Sequence, residues 1–115
     1  MFNFNEMFSN SVKFDYEGKD NPYMNIEDYV LNYKQTRAQV KGMWINPKSK
    51  HGPRGVIVLD GVNVNVPSHV NERIEKVRGN AEAVKAVNEG ACGVEFYTYE
   101  KDGKTYYSAR FINWE

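Results

Sequence analysis

Two histidines, one cysteine and fifteen acidic side chains are the groups in this 115-residue chain with the chemistry for nucleophilic, acid–base or metal-assisted reactions, and their spacing sets up none of these. His51 falls in a basic loop and His69 at a helix start, with no regular metal-ligand spacing to another ligand. Cys92 has no second thiol for a disulfide or a zinc or iron–sulfur site, so it reads as a buried, inert thiol. No phosphate-cradling GxGxxG or GxxxxGK occurs, and Gly52, Gly55 and Gly61 sit where turns need them. The carboxylates are scattered, and no two can be assigned to one pocket as an acid–base pair. The expectation is a non-enzymatic protein with no cofactor and no metal; a small hydrolase or nuclease would require a set that is not visible.

Binding chemistry is better represented. Aromatic residues make up 14% of the chain, and they concentrate in Val94 to Glu100 (VEFYTYE) and Lys104 to Asn113 (KTYYSARFIN). Cations concentrate elsewhere. Met1 to Asp28 holds six acids and two bases, Tyr29 to Leu59 six bases and no acid, and Asp60 to Glu115 nine acids and seven bases. A net charge of zero argues against broad adhesion to polyanions, whereas the basic middle permits a local groove for one. Single-stranded nucleic acid is held by a cationic track combined with rings on which bases stack. Trp44, Tyr97, Tyr99 and Tyr107 are the candidate rings, and Lys41, Lys48, Lys50, Arg54, Lys101 and Lys104 the candidate cations. Taken singly, each ring is also explained by core packing and each charge by a solvated face; the combination is what points to binding.

The elements that must position these residues follow from periodicity. Lys101-Asp102-Gly103 reads as the loop of a closing hairpin. With Glu100 opposite Lys104, Tyr97 faces Tyr107 and Tyr99 faces Thr105 on one side with Phe111. Val94, Phe96, Tyr106, Ser108, Arg110 and Ile112 then share the other side. Upstream, residues from Thr36 alternate through Ala38 and Val40 until Gly42 marks a bend before Met43-Trp44-Ile45. Asn46 to Gly55 (NPKSKHGPRG) is a basic loop, and Val56 to Val66 is a hairpin about Asp60-Gly61 with Val62, Val64 and Val66 on one face. Pro67-Ser68 opens an amphipathic helix with Ser68 as N-cap. Its stripe is Val70, Ile74, Val77, Ala81, Val84 and Val87, with a possible break and recapping at Gly79-Asn80.

The length suits one domain, and a charged fraction of 26% suits a folded one. Residues 1–35 read as an N-terminal arm packed on the domain or on a second copy, and 36–115 as the domain proper. No apolar run is long enough to span a membrane and no secretory signal is visible, so the expected location is cytoplasmic. The fold expected is mostly β with one or two helices, in the order strand, strand, strand, helix, strand, strand. That order matches a five-stranded OB-fold-like barrel, whose second and third strands and first and last loops bind oligonucleotides.

On the motifs KGMWINPKSKHGPR, VLDGVNVNVP and YTYEKDGKTYYSARF, the run from Thr36 to Asn113 resembles the small OB-fold single-stranded-DNA-binding proteins of phages of Gram-positive bacteria. The resemblance implies single-stranded DNA as ligand, roles in DNA replication or recombination beside proteins of those processes, and assembly as a homodimer or higher homo-oligomer. It also implies the host-cell cytoplasm as location. The competing reading is an OB-fold protein-interaction or homo-oligomerisation module that buries its aromatic ribbon against a partner and binds no nucleic acid.

Overall fold

The computed structural model describes Phe14, Tyr16, Gly18, residues 20–48 and residues 52–114. Residues 1–13 of the expected N-terminal arm, Lys50 and His51 lie outside these residues. In chain order the elements are β1 (Tyr23–Asn25), α1 (Ile26–Tyr33), β2 (Arg37–Gln39), β3 (Gly42–Asn46), β4 (Arg54–Leu59) and β5 (Val62–Asn65). A 3₁₀ turn (Ser68–Val70), α2 (Asn71–Arg78), α3 (Ala81–Asn88), β6 (Cys92–Lys101) and β7 (Lys104–Asn113) follow. One sheet has the order β1-β5-β4-β3, with β1 parallel to β5, and the other the order β2-β6-β7.

β2 and β3 are two halves of the bent strand expected from Thr36 onward. Consecutive amides part at the bend, since Val40 N donates to Cys92 O (2.9 Å) and Lys41 N donates to Val58 O (2.8 Å). The chain thereby leaves one sheet and enters the other within a single peptide. Between the sheets lies the core, built by the alternation of each strand. Met43, Ile57, Leu59, Val62 and Val64 meet Ala38, Val94, Phe96 and Ala109, and Ile26, Tyr29, Val70, Ile74 and Val87 close the remaining sides.

The architecture is mostly β, as expected, but its strands form two sheets with no closed barrel where a five-stranded OB-fold-like barrel is expected. Among the described residues no ladder joins β7 to β5; the outer edge of β5 is occupied by β1 instead. Among the described residues there are three α-helices rather than one or two. α1 lies in the stretch read from sequence as arm. Asn25 caps it by accepting from Asp28 N (2.9 Å), and Lys34 ends it in the left-handed conformation (φ +54°). Its eight residues give too short a window for periodicity, and Leu31, at 66% exposed, blurs the stripe further. The helix after β5 is broken at Gly79-Asn80 as its sequence allows, with Asn80 accepting from Glu82 N and Ala83 N. Ser68 makes no cap and enters a 3₁₀ turn instead, and Ala81 is exposed because the break resets the helical phase.

The outward face of the four-stranded sheet is covered as well. Val56 and Val58 point away from the core yet are buried, and the segment before β1 lies over this face. Gly18 (φ +62°) sits so close that a Cβ there would come within 2.7 Å of Val58 Cγ1. Asn63, only 1% exposed, is fully engaged. Its Nδ2 donates to Gly18 O (3.0 Å) and its Oδ1 accepts from Asn21 Nδ2 (3.2 Å), while its amide donates to Pro22 O. Replacing Asn63 by Ala removes two hydrogen bonds, leaving Gly18 O with Asn21 N and Asn21 Nδ2 with Leu59 O, so Asn63→Ala should lower folding stability by about 1–3 kcal/mol. Urea unfolding measures this, and an unchanged midpoint would show that the segment before β1 is not held through Asn63.

Candidate nucleic-acid interface

β6 and β7 form one continuous hairpin in which Lys101 pairs with Lys104, Tyr99 with Tyr106, Thr98 with Tyr107, Tyr97 with Ser108 and Phe96 with Ala109. This is one residue away from the register expected from sequence. Asp102 (φ +54°) and Gly103 (φ +77°) both adopt positive φ, the pattern of a two-residue type I′ turn, so Lys101 belongs to the strand and not to the loop. A one-residue slip moves every side chain of one strand to the other face. Tyr107 therefore leaves the candidate face and packs against the core edge, while Tyr106 and Arg110 come out beside Tyr97 and Tyr99.

The open face of the three-stranded sheet can be followed from tip to base. At the tip are Lys101 and Lys104, both exposed. Next, Tyr99 and Tyr106 stack across the strands with ring centroids 5.5 Å apart and planes at 24°, and both are partly in water. The His69 ring meets Tyr99 edge-on at 6.0 Å. Below them the Arg110 guanidinium lies 5.5 Å above the Tyr97 ring. Glu95 then holds two arginines, accepting from Arg37 Nε (2.9 Å) and Arg110 Nε (2.7 Å), with Arg110 Nη2 on the same carboxylate oxygen. The base is formed by Gly93, against which the Trp114 ring lies so closely that a Cβ on Gly93 would be 2.5 Å from Trp114 Cε3.

Local electrostatics sort these groups. Arg110 and then Arg37, hydrogen-bonded to Glu95, hold its carboxyl below the ordinary carboxylate range, so the trio carries one net positive charge at neutral pH. Burial, with the charge of Arg73, lowers the His69 pKa; at neutral pH this residue offers a ring and not a charge. Hydrogen bonds from Ser108 and Arg73 lower the Tyr97 pKa. Arg73 Nη1 donates to Ala109 O (2.6 Å) and reaches Tyr97 Oη (3.3 Å), and His69 Nε2 lies 2.8 Å from Ser108 Oγ. The start of α2 is thus pinned to β7. Among the described residues, no three His, Cys, Asp or Glu side chains gather as a metal site would require, and no helix is long and apolar enough to cross a membrane.

Of the residues singled out from sequence, Tyr97, Tyr99, Lys101 and Lys104 share this face. Tyr107 lies on the opposite face of the same hairpin and Lys50 outside the described residues, and the others belong to the four-stranded sheet or its approaches. Trp44 is half-buried on the outward face of β3, edge-on to Tyr23 at 6.4 Å. Arg54 is committed to Val66 O (3.0 Å). Lys41 is half-buried at the bend and Lys48 is exposed in the turn after β3. Tyr106, Arg110, Arg37 and Trp114 were not among the sequence candidates. The Asp-Gly dipeptide, read as a two-residue turn, would have brought out the first two; Arg37 and Trp114 reach the face only through strand pairing.

Because Tyr99 and Tyr106 pack mainly on each other, Tyr99→Ala and Tyr106→Ala should each shift stability by about 1 kcal/mol or less, the scale of an aromatic pair. Phe96→Ala empties a buried site and should cost about 3–5 kcal/mol. Thermal melts of the three variants check this; comparable losses in all three would mean that the tyrosine face is covered. Comparison of the chain with protein-family models, with curated proteins and with solved structures finds no match.

Proposed function

We propose that this protein binds single-stranded DNA and acts on strands exposed during phage DNA replication or recombination. The observation that carries the reading is the open face of the β6–β7 hairpin. Two stacked tyrosines with water-facing edges stand between a lysine pair at the tip and an arginine-covered tyrosine below. Unpaired bases have free π-faces for such rings, worth about 1–3 kcal/mol per stacked base, and the flanking cations suit the phosphates. The strand order is a second support. A bent first strand shared by two sheets, followed by a hairpin, helices and a closing hairpin, is the succession of an OB-like fold, with β1 standing where the barrel would close. The reading needs neither a catalytic group nor a cofactor.

A homo-oligomerisation module is the second reading. It is favoured by the outer edge of β7, on which no strand pairs among the described residues. The two readings make opposite demands on the tyrosine face, which a partner subunit would cover and a bound strand would need open.

Fluorescence titration should show tighter binding to a single-stranded oligonucleotide than to a duplex of equal length. Tyr99→Ala and Tyr106→Ala should each weaken the single-strand affinity by roughly 1–3 kcal/mol. Equal affinity for the duplex, or full binding by both variants, overturns the reading. A charge series gives an independent check, because log K falls with log salt by about 0.7 per phosphate contact on single strands. Lys101→Ala with Lys104→Ala should flatten that slope, whereas Glu95→Gln, which releases Arg37 and Arg110 from their shared carboxylate, should steepen it. A slope that ignores both changes would place the phosphates elsewhere.

A further inference from the structure

At the base of the open face, where β2 lies beside β6, the surface opens into a cleft of about 200 Å³. Its walls include Trp114, Tyr33 and Tyr29, and its polar lining includes Arg37, Gln39 and Asp60. The exposed Tyr33 ring is backed by the buried Tyr29 ring, 4.7 Å away with planes at 25°, so one side of the cleft is a supported aromatic wall. Trp114 is held as firmly, its ring lying against Gly93 and its amide donating to Ala91 O (2.9 Å). The volume is below the roughly 300–1,000 Å³ of pockets for drug-sized ligands, which suits a single flat ring system. Arg37 belongs to both places. It lines the cleft, and through Glu95 it is tied to Arg110 and the tyrosine face.

The polar lining is rich in acceptors. Asp60 contributes a carboxylate, and Gln39, whose side chain is oriented by one of its two amide N–H donors on Gly90 O (3.0 Å), adds a carbonyl oxygen. Carboxylate and amide oxygens recognise exocyclic amino groups, as they do on cytosine N4 and adenine N6. The guanidinium of Arg37 has donors beyond the Nε bonded to Glu95, and these suit a phosphate attached to the ring. We infer that this cleft is a base-binding site, which takes one amino-bearing nucleobase between its aromatic walls with the attached phosphate on Arg37. The inference rests on the strand-binding reading for its setting, since the cleft lies at the end of the same face, in line with Tyr99, Tyr97 and Glu95. There it would seat a base that leaves the strand.

The test uses the full chain carrying Trp44→Phe, so that Trp114 is the one tryptophan, with folding verified by circular dichroism. The probes are dCMP and dTMP, pyrimidines of like size that differ in the exocyclic amino group. Titration with dCMP should quench Trp114, and dTMP should bind about ten-fold more weakly, the scale of one good base contact. Tyr33→Ala and Arg37→Gln should each weaken dCMP by a similar factor, while Tyr106→Ala, on the hairpin, should leave dCMP unaffected. Quenching by both nucleotides with equal affinity overturns the amino-group selectivity. Absence of quenching by either one, in a protein whose single-strand binding is still weakened by Tyr106→Ala, overturns the base site and leaves the strand-binding reading standing. Quenching by dCMP in a protein that binds no oligonucleotide keeps the base site and overturns the strand-binding reading.

Discussion

The fold hinges on two adjacent hydrogen bonds, from Val40 N to Cys92 O and from Lys41 N to Val58 O. Successive amides of an extended chain point to opposite sides, so one bent strand can bind a different neighbour with each of them. Here the neighbours belong to different sheets. That single peptide forces the two sheets to splay from a common edge, and the wedge between them must be filled by whatever their inner faces and the helices supply. Val40 is fully buried at the apex, and Ile74 of α2 packs so tightly over Gly55 that a Cβ there would approach its Cδ1 to 2.4 Å. The open side of the wedge is thus closed by helices.

A consequence is that the hairpin is supported at one end. β2 pairs with β6 only at Gly93, Val94 and Glu95, and beyond Phe96 the two long strands have chiefly each other. Their bases are fixed by Val94, Phe96 and Ala109 in the core, by Arg73 of α2 and by His69 of the 3₁₀ turn before it. Their tips carry residues with no core to enter. Tyrosine tolerates that position because the ring is apolar and the hydroxyl remains hydrated, and pairing Tyr99 with Tyr106 removes part of the ring surface from water. The same arrangement leaves ring edges and two lysines exposed at the end of a hairpin anchored at its base.

The opposite side of the molecule is handled differently. The outward face of the four-stranded sheet is closed, with Val58 and Asn63 under the segment that precedes β1. Trp44 is edge-on to Tyr23, and Arg54 is bound to Val66 O. Residues that looked suited to a ligand from composition alone are therefore engaged in holding that cover and the sheet itself. The aromatic surface left open belongs to the other sheet, and its continuity runs from the lysine tip to the Trp114 cleft.

What the sequence by itself determined is much of what depends on neighbours a few positions apart, though not the Ser68 cap or the register of the closing hairpin. The β4–β5 hairpin with Val62 and Val64 inward, the bent strand from Thr36, the helix break recapped by Asn80 and the aromatic closing ribbon are all legible, because alternation, turn dipeptides and caps are local physics. The short helix α1 was not, since eight residues hold barely two turns of pattern. Tertiary structure decided the rest: that β1 takes the edge of β5, that Asn63 is buried under Gly18, and that Arg37 and Arg110 share one carboxylate. It also decided which tyrosines face water. With a side-chain period of two, Tyr106 and Tyr107 are equivalent in the sequence until the φ angles of Asp102 and Gly103 choose between them, and burial of Phe96 and Ala109 against the core holds that choice in place.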